Sequence, residues 1–163
     1  MIKRIAVACF ALLSLPVLVG SGQASRQQKA EAELLAIHQA DRSAHFRHDV
    51  GALLEHTGAQ VLDVREGKIT RMSREDLRQR FVRYFHKAEF SAWDDVEPPV
   101  IQVSPDGELG WMVVRVHIAF VETDAQGKKI PHSSTMAWMS TYERRDGTWM
   151  MTAATSTEDP GAH

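Results

Sequence analysis

Cysteine is almost absent from this chain. Its 163 residues include one cysteine, Cys9, which lies inside an apolar run near the N-terminus. If that run is removed, no thiol remains, so disulfide bonds and thiol chemistry are excluded. Cys9 lies in the middle of the run and not at its end, so we do not expect a lipid-modified cysteine at a new N-terminus.

Several nucleotide-binding and catalytic motifs are missing as well. The chain has no Gly-x-Ser-x-Gly elbow, no glycine-rich phosphate loop and no dinucleotide-binding fingerprint. An excess of positive charge is also missing, because the formal net charge is −2. A nucleic-acid partner requires a basic surface. We therefore expect no organic cofactor and no nucleic-acid partner.

The N-terminus has the pattern of a secretory signal peptide. Lys3 and Arg4 precede an apolar run over residues 5–19, and Ala24 ends a small-residue cleavage pattern. A retained membrane anchor is the alternative, but the run is shorter than the ~20 residues that span a bilayer, and Pro16 interrupts it. We predict a signal peptide over residues 1–24 and a single exported domain over residues 25–163. This domain would be periplasmic or secreted, without stable membrane insertion, and its net charge would be −4.

The last third of the chain has the pattern of three long antiparallel strands. Residues 108–122, 132–143 and 148–157 are rich in β-branched and aromatic residues, and turn residues separate them. In the first of these strands, alternate residues form a wholly apolar face: Met112, Val114, Val116, Ile118 and Phe120. The opposite face is mixed, with Trp111, Val113, Arg115, His117 and Ala119. We predict that the apolar face contacts helices and that the mixed face forms a homodimer.

The residues before these strands are mainly helical in pattern. Helices are predicted over residues 30–48 and 52–56 and from Ser73 onward, where Ser73 and Asp76 form a capping-box pair. Short strands are predicted at 60–64, 68–71 and 100–104. Residues 92–95 then lead into two prolines, which excludes a central strand there. The pattern predicts an α+β fold in which a curved antiparallel sheet wraps around three N-terminal helices.

Four stretches carry a resemblance to a known superfamily. They are HDVGALLEH, VLDVREGKIT, SREDLRQRFVRYF and STYERRDGTWMM. In order and spacing they resemble the nuclear transport factor 2-like superfamily, a cystatin-like α+β cone that includes SnoaL-like polyketide cyclases, ketosteroid isomerases and scytalone dehydratases. The resemblance implies a cone with an interior cavity. Many members have His-x-Ser near the end of the last strand, but this chain has Thr155-Ser156-Thr157, and the paired Tyr and Asp of the steroid isomerases are also not matched.

His38, Asp41 and His45 are the candidate catalytic residues. Their spacing of three and four places them on one face of the first predicted helix. A partly desolvated carboxylate between two imidazoles could move a proton, with either His assisting. The alternatives are a solvated helix face or a hydrogen-bond cluster that ties helix to sheet. The spacing does not match a helical zinc motif, so we predict no metal site.

Five further residues are candidates for binding a ligand. Phe81 and Phe85 belong to an aromatic stripe that is also the normal buried face of a helix. Asp63 lies in an alternating strand and could face either the cone or water. Trp93 could cover a pocket or simply anchor a turn that contains two acids. Trp138 shares a strand face with Met136, and that face could line the cavity or the outer surface.

These patterns favour an exported SnoaL-like domain that binds a small, largely apolar molecule. One alternative is a cofactor-independent acid–base enzyme of the isomerase, dehydratase or cyclase type that uses Asp41. A second alternative is a non-catalytic dimeric interaction module. The scaffold alone does not decide among them, because one fold can carry several functions.

Overall fold

The computed structural model describes residues 20–159, with side chains described from Gly22 onward. Three helices are described: α1 (Gly20–Arg47), α2 (Val50–Leu53) and α3 (Arg74–Lys87). The strands are β1 (Thr57–Arg65), β2 (Lys68–Ser73), β3 (Ala88–Asp95), β4 (Val100–Val103), β5 (Leu109–Thr123), β6 (Lys129–Arg145) and β7 (Thr148–Asp159). The architecture is α+β, as predicted, with one curved, open sheet.

All seven strands belong to this sheet, in the order β2-β1-β7-β6-β5-β3. β4 also pairs with β5, along residues 110–113, whereas β3 pairs with residues 116–122 of that strand. Every pairing is antiparallel except that of β1 with β7, which is parallel. The sheet is therefore mixed, whereas the sequence predicted a purely antiparallel one. Turn signals reveal hairpins, but they do not reveal that the first hairpin joins the last strand. Gly58 lies at this junction, where a Cβ atom would come within 2.8 Å of the Met151 carbonyl oxygen.

The local helix signals explain where α2 and α3 begin. The Ser73 hydroxyl accepts the Asp76 amide at 3.1 Å, and the Asp76 carboxylate accepts the Ser73 amide at 3.0 Å. This confirms the predicted capping box, which satisfies amides that have no partner within the helix. The Asp49 carboxylate accepts the Ala52 amide at 3.0 Å and begins α2 in the same way.

The apolar face of β5 forms the core, as its alternation predicted. Met112, Val114, Val116 and Ile118 are all buried, and they pack with Leu34 and Ile37 of α1. The opposite face is partly accessible, with Arg115 exposed and Trp111 and Val113 half-buried. A homodimer through this opposite face stays a prediction.

Three element predictions were wrong in detail. α1 includes residues 25–29, ahead of the predicted helix start at residue 30, and Gln27 in this stretch donates to the Val103 carbonyl at 3.2 Å. Residues 88–95 form β3, where only a lead-in to the prolines was expected, because pairing with β5 outweighs the low strand propensity of its acidic residues. β6 begins at Lys129 and tolerates Pro131, since β7 pairs with β6 only from Thr135 onward and leaves that edge open.

The predicted signal peptide falls mainly on residues 1–19, which lie outside the described residues. From residue 20 to residue 159, no helix is both long enough and apolar enough to cross a membrane.

Candidate functional site

A cavity of about 730 Å³ lies between the helices and the concave face of the sheet. This volume is within the range of pockets that hold small organic ligands. Seven of the eight predicted site residues line it: His38, Asp41, His45, Asp63, Phe81, Trp93 and Trp138. The eighth, Phe85, is buried behind the wall and meets the His45 ring edge-on at 5.5 Å.

Asp41 is a carboxyl group with no compensating cation beside it among residues 20–159. It projects from the middle of α1, is half-buried and lines the cavity. Desolvation raises its pKa from 3.8 to about 7, because burial disfavours the charged form. Near neutral pH, the protonated and ionised forms of Asp41 are both populated, which suits a group that accepts and returns a proton.

His45 is held as a neutral imidazole next to this carboxyl. Its Nδ1 donates to the Asp41 backbone carbonyl at 2.8 Å, which leaves Nε2 as the unprotonated acceptor. Burial lowers the pKa of His45 to about 4, the hydrogen bond to the Asp41 carbonyl opposes this, and the charge of His48 adds to the lowering. The ring stacks on Trp93, with 3.7 Å between centroids and 25° between planes.

His38 also lines the cavity, but its Nε2 is already engaged. It bonds the Asp95 carboxylate at 2.7 Å, across 57 residues of sequence. His38 is buried, whereas Asp95 is partly exposed on β3. Asp95 therefore fixes the orientation of the His38 ring. Of the two alternatives left open for the stretch around Trp93, the turn that contains two acids was wrong, because residues 88–95 form a strand beside α1.

Asp63 faces the cavity and not the solvent, the two orientations that its alternating strand pattern allowed. It is buried on β1 and accepts from Arg65 at 2.9 Å and from Arg80 at 3.3 Å. Arg80 comes from α3, so the ion pair joins that helix to the sheet. Unlike Asp41, this carboxylate has its charge compensated by two guanidinium groups.

Trp93 is a buried wall residue and does not anchor a turn. Its indole N–H has no hydrogen-bond partner in the part of the chain that the structure describes. The adjoining Asp94 carboxylate pairs with Arg42 at 2.7 Å, and Arg42 also donates to the Trp93 carbonyl at 2.6 Å. Arg42 therefore ties α1 to β3 from outside the cavity.

The inward face of β6 supplies two polar groups, Ser140 and Tyr142, that the sequence did not identify. Met136, Trp138, Ser140 and Tyr142 alternate along this strand, and all four line the cavity. Burial and then the charge of Asp41 raise the pKa of Tyr142, which places this phenol in the electrostatic neighbourhood of Asp41. The alternation could have identified Ser140 and Tyr142 once the side that Trp138 faces was known. Ser156, within the Thr155-Ser156-Thr157 stretch, also faces the cavity.

No three His, Cys, Asp or Glu side chains between residues 20 and 159 are grouped so that they could hold a metal ion. His38, Asp41 and His45 share a helix face, but the bonds of His38 to Asp95 and of His45 to the Asp41 backbone direct the rings elsewhere.

Comparison with solved structures identifies the class of fold. A ketosteroid isomerase-like protein from Erwinia carotovora atroseptica matches with a TM-score of 0.61 and 14% identity, covering 80% of this chain and 96% of that chain. An NTF2-like protein from Cytophaga hutchinsonii matches with a TM-score of 0.61 and 15% identity, covering 77% and 95%. A protein with a cystatin-like fold from Nostoc punctiforme matches with a TM-score of 0.57 and 13% identity, covering 80% and 91%.

The chain thus has the fold of the nuclear transport factor 2-like superfamily, in agreement with the resemblance found in its sequence. No protein-family model matches this chain, and no curated protein matches it either. At these identities the structural likeness describes the fold alone. Function must be argued from the cavity.

Proposed function

We propose that this protein binds a small, largely apolar molecule in the cavity between α1, α3 and the sheet. The observation that carries the proposal is a space of about 730 Å³ whose wall combines aromatic and aliphatic side chains with a few polar groups. Trp93 and Trp138 provide large apolar surfaces, with ring centroids 6.1 Å apart. Asp41, His45 and Ser140 provide the polar contacts that would orient a ligand.

Cavity filling tests this proposal directly. The probe is N-phenyl-1-naphthylamine, a neutral apolar dye whose fluorescence rises in apolar surroundings. Ser156 faces the cavity and the neighbouring Thr155 is exposed, so Ser156→Trp and Thr155→Trp add the same side chain on opposite faces of β7. We expect Ser156→Trp to weaken dye binding by about tenfold or more and Thr155→Trp to leave it within about twofold, a difference of more than about 1 kcal/mol. Equal binding by both variants would place the dye elsewhere and contradict the proposal.

A second candidate function is proton transfer on the bound molecule, with Asp41 as the acid–base group. Its carboxyl has a pKa of about 7 and lines the cavity, and no cation lies beside it in the part of the chain that the structure describes. In such a reaction the ionised carboxylate removes a proton from a carbon next to a carbonyl and returns it to another carbon, so no cofactor is consumed. The Tyr142 hydroxyl and the neutral His45 ring are polar groups of the same wall.

Hydrogen–deuterium exchange tests the proton-transfer function without knowledge of the natural substrate. The probe is 2-tetralone, an apolar ketone with acidic C–H bonds, incubated in D₂O and followed by NMR. We expect exchange above the buffer rate that increases as the pH rises through about 7, where Asp41 becomes ionised. Asp41→Asn should lose this exchange while still binding the naphthylamine dye. Equal exchange by the variant would remove Asp41 from the mechanism and leave binding as the function.

We also propose that the domain is exported after cleavage near Ala24. The N-terminal sequence supports this, because Lys3 and Arg4 precede an apolar run over residues 5–19 and small residues end at Ala24. Mass spectrometry of the protein from a periplasmic fraction tests it, and an intact Met1 would contradict it.

A further inference from the structure

Basic side chains are concentrated at the cavity, although the whole chain carries a net charge of −2. The cations that line the cavity are Arg65, Arg80, Arg83 and Lys87, and the carboxyl groups that line it are Asp41 and Asp63. Asp41 is partly protonated near neutral pH. The cavity is therefore a positive region within an acidic protein, and such a region attracts anions.

Two of these cations are not used by the protein itself. Asp63 pairs with Arg65 and Arg80, whereas Arg83 and Lys87 form no ion pair within residues 20–159. Both are exposed and lie four residues apart on α3, so they share one side of the helix and repel each other. The helix dipole favours a cation in the last turn, which accounts for Lys87, but Arg83 lies before that turn.

Two acidic groups near α3, Glu122 and Glu158, form no ion pair with Arg83 or Lys87 within residues 20–159. The pKa of Tyr84 is raised to about 12, first by burial and then by the charges of Glu158 and Glu122, while Arg80 opposes the rise. Glu158 and Glu122 therefore lie on the side of α3 that carries Tyr84. Neither lines the cavity, and Glu122 pairs with His132 at 3.4 Å. We call Arg83 and Lys87 the cationic rim.

We propose that the ligand is an amphipathic anion, whose apolar body fills the cavity and whose carboxylate or sulfonate group binds the cationic rim. This inference rests on the proposed binding function and specifies the chemical class of the ligand. The interior of the cavity is buried and apolar, and its rim is exposed and cationic, as an amphipathic anion requires. Trp93 and Met112 of the wall are buried, whereas Arg83 and Lys87 are exposed.

Asp41 argues for this orientation and against the reverse one. Tyr142 of β6 is buried and lies within reach of the charge of Asp41, so Asp41 belongs to the interior part of the wall. An anionic group placed there would meet a second carboxyl in a desolvated space, which is unfavourable. With the anion at the cationic rim, Asp41 instead faces the uncharged part of the ligand.

The test compares decanoate with decan-1-ol, two ligands that share the chain length and differ in charge. Each displaces the naphthylamine dye from the full domain at pH 7.5 and low salt, below its solubility limit. We expect decanoate to bind about fivefold more tightly than the alcohol, since an accessible ion pair contributes up to about this factor. Added salt should reduce the difference.

Matched double variants connect this preference to the cationic rim. Arg83→Gln with Lys87→Gln should bring decanoate to the affinity of decan-1-ol and leave alcohol binding unchanged. Arg71→Gln with Arg78→Gln removes two exposed cations that do not line the cavity, and it should keep the preference. A preference that is absent, or that survives loss of the cationic rim, overturns the inference while dye binding still supports the proposed function. Failure of the dye itself to bind overturns both.

Discussion

Asp41 and Asp63 are two carboxyl groups on the wall of one cavity, and their surroundings differ in charge. Asp63 is buried, but Arg65 and Arg80 approach it at 2.9 and 3.3 Å. Asp41 has no such cation within the described range of residues 20–159, and its pKa rises to about 7 through desolvation. The comparison shows that two carboxyl groups on one wall can differ in whether neighbouring charges compensate them, whatever their depth. One carboxyl fixes α3 to the sheet, and the other is left available to a ligand.

The largest effect is expected from Asp41→Asn, which removes an ionisation that the fold disfavours. At pH 8 the carboxylate destabilises the folded state, so the variant should be more stable by about 3 kcal/mol, a discounted conversion of the pKa shift. At pH 4 Asp41 is already protonated, and the gain should disappear. Urea unfolding at both pH values measures the difference. The control is Glu55→Gln at an exposed position, and an unchanged or lower stability of Asp41→Asn at pH 8 would contradict the uncompensated state of Asp41.

The same chemical change at Asp63 should act in the opposite direction. Asp63→Asn leaves Arg65 and Arg80 without their carboxylate, and we expect a loss of about 2 kcal/mol at pH 7, because both arginines are partly exposed. The measurement is urea unfolding of Asp63→Asn, Arg80→Met and the double variant. The double variant should lose less than the sum of the two single losses. Additive losses would show that the ion pair does not stabilise the fold.

A smaller effect is expected in the pH dependence of stability. Between about pH 4 and 6.5 the folded state retains a proton on Asp41 that the unfolded chain releases, and it keeps His45 neutral while the unfolded chain binds a proton there. The proton on Asp41 makes the stability fall as the pH rises, and the neutral His45 makes it rise, so the two contributions cancel. Asp41→Asn removes one of them, so its stability should rise with pH by up to about 1.4 kcal/mol per unit over this range.

Unfolding curves at half-unit pH steps, compared with wild type and with Glu55→Gln, measure this slope. A variant that runs parallel to wild type would show that His45 is not kept neutral in the folded state.

Much of the fold could be predicted from local patterns. The alternation in β5 identified the buried face, and the Ser73–Asp76 pair located the start of α3, because both signals depend on residues close in sequence. β3 and the parallel β1–β7 pairing could not be found in this way. They depend on partners far along the chain, such as Thr57 with Met151.

The candidate site was predicted in part for the same reason. The spacing of His38, Asp41 and His45 placed all three on one helix face, and all three line the cavity. Asp95 was missed because its bond to His38 is long-range. In β7, a bulge at Thr152 interrupts the alternation of inward and outward side chains. The residues that face the cavity are therefore Met151, Ala154 and Ser156. Strict alternation from Trp149 would have predicted the wrong face for Ser156.

The position of β7 in the sheet has a consequence for the order in which the chain folds. Of the seven strands described within residues 20–159, β7 leaves the ribosome last, yet it lies between β1 and β6. The β1–β2 hairpin can form early, but its partner is synthesised about ninety residues later, and such distant pairing closes slowly. The sheet is therefore completed only after β7 has been synthesised. Any truncation that removes residues 148–159 would separate the hairpin, with Asp63, from the remaining strands.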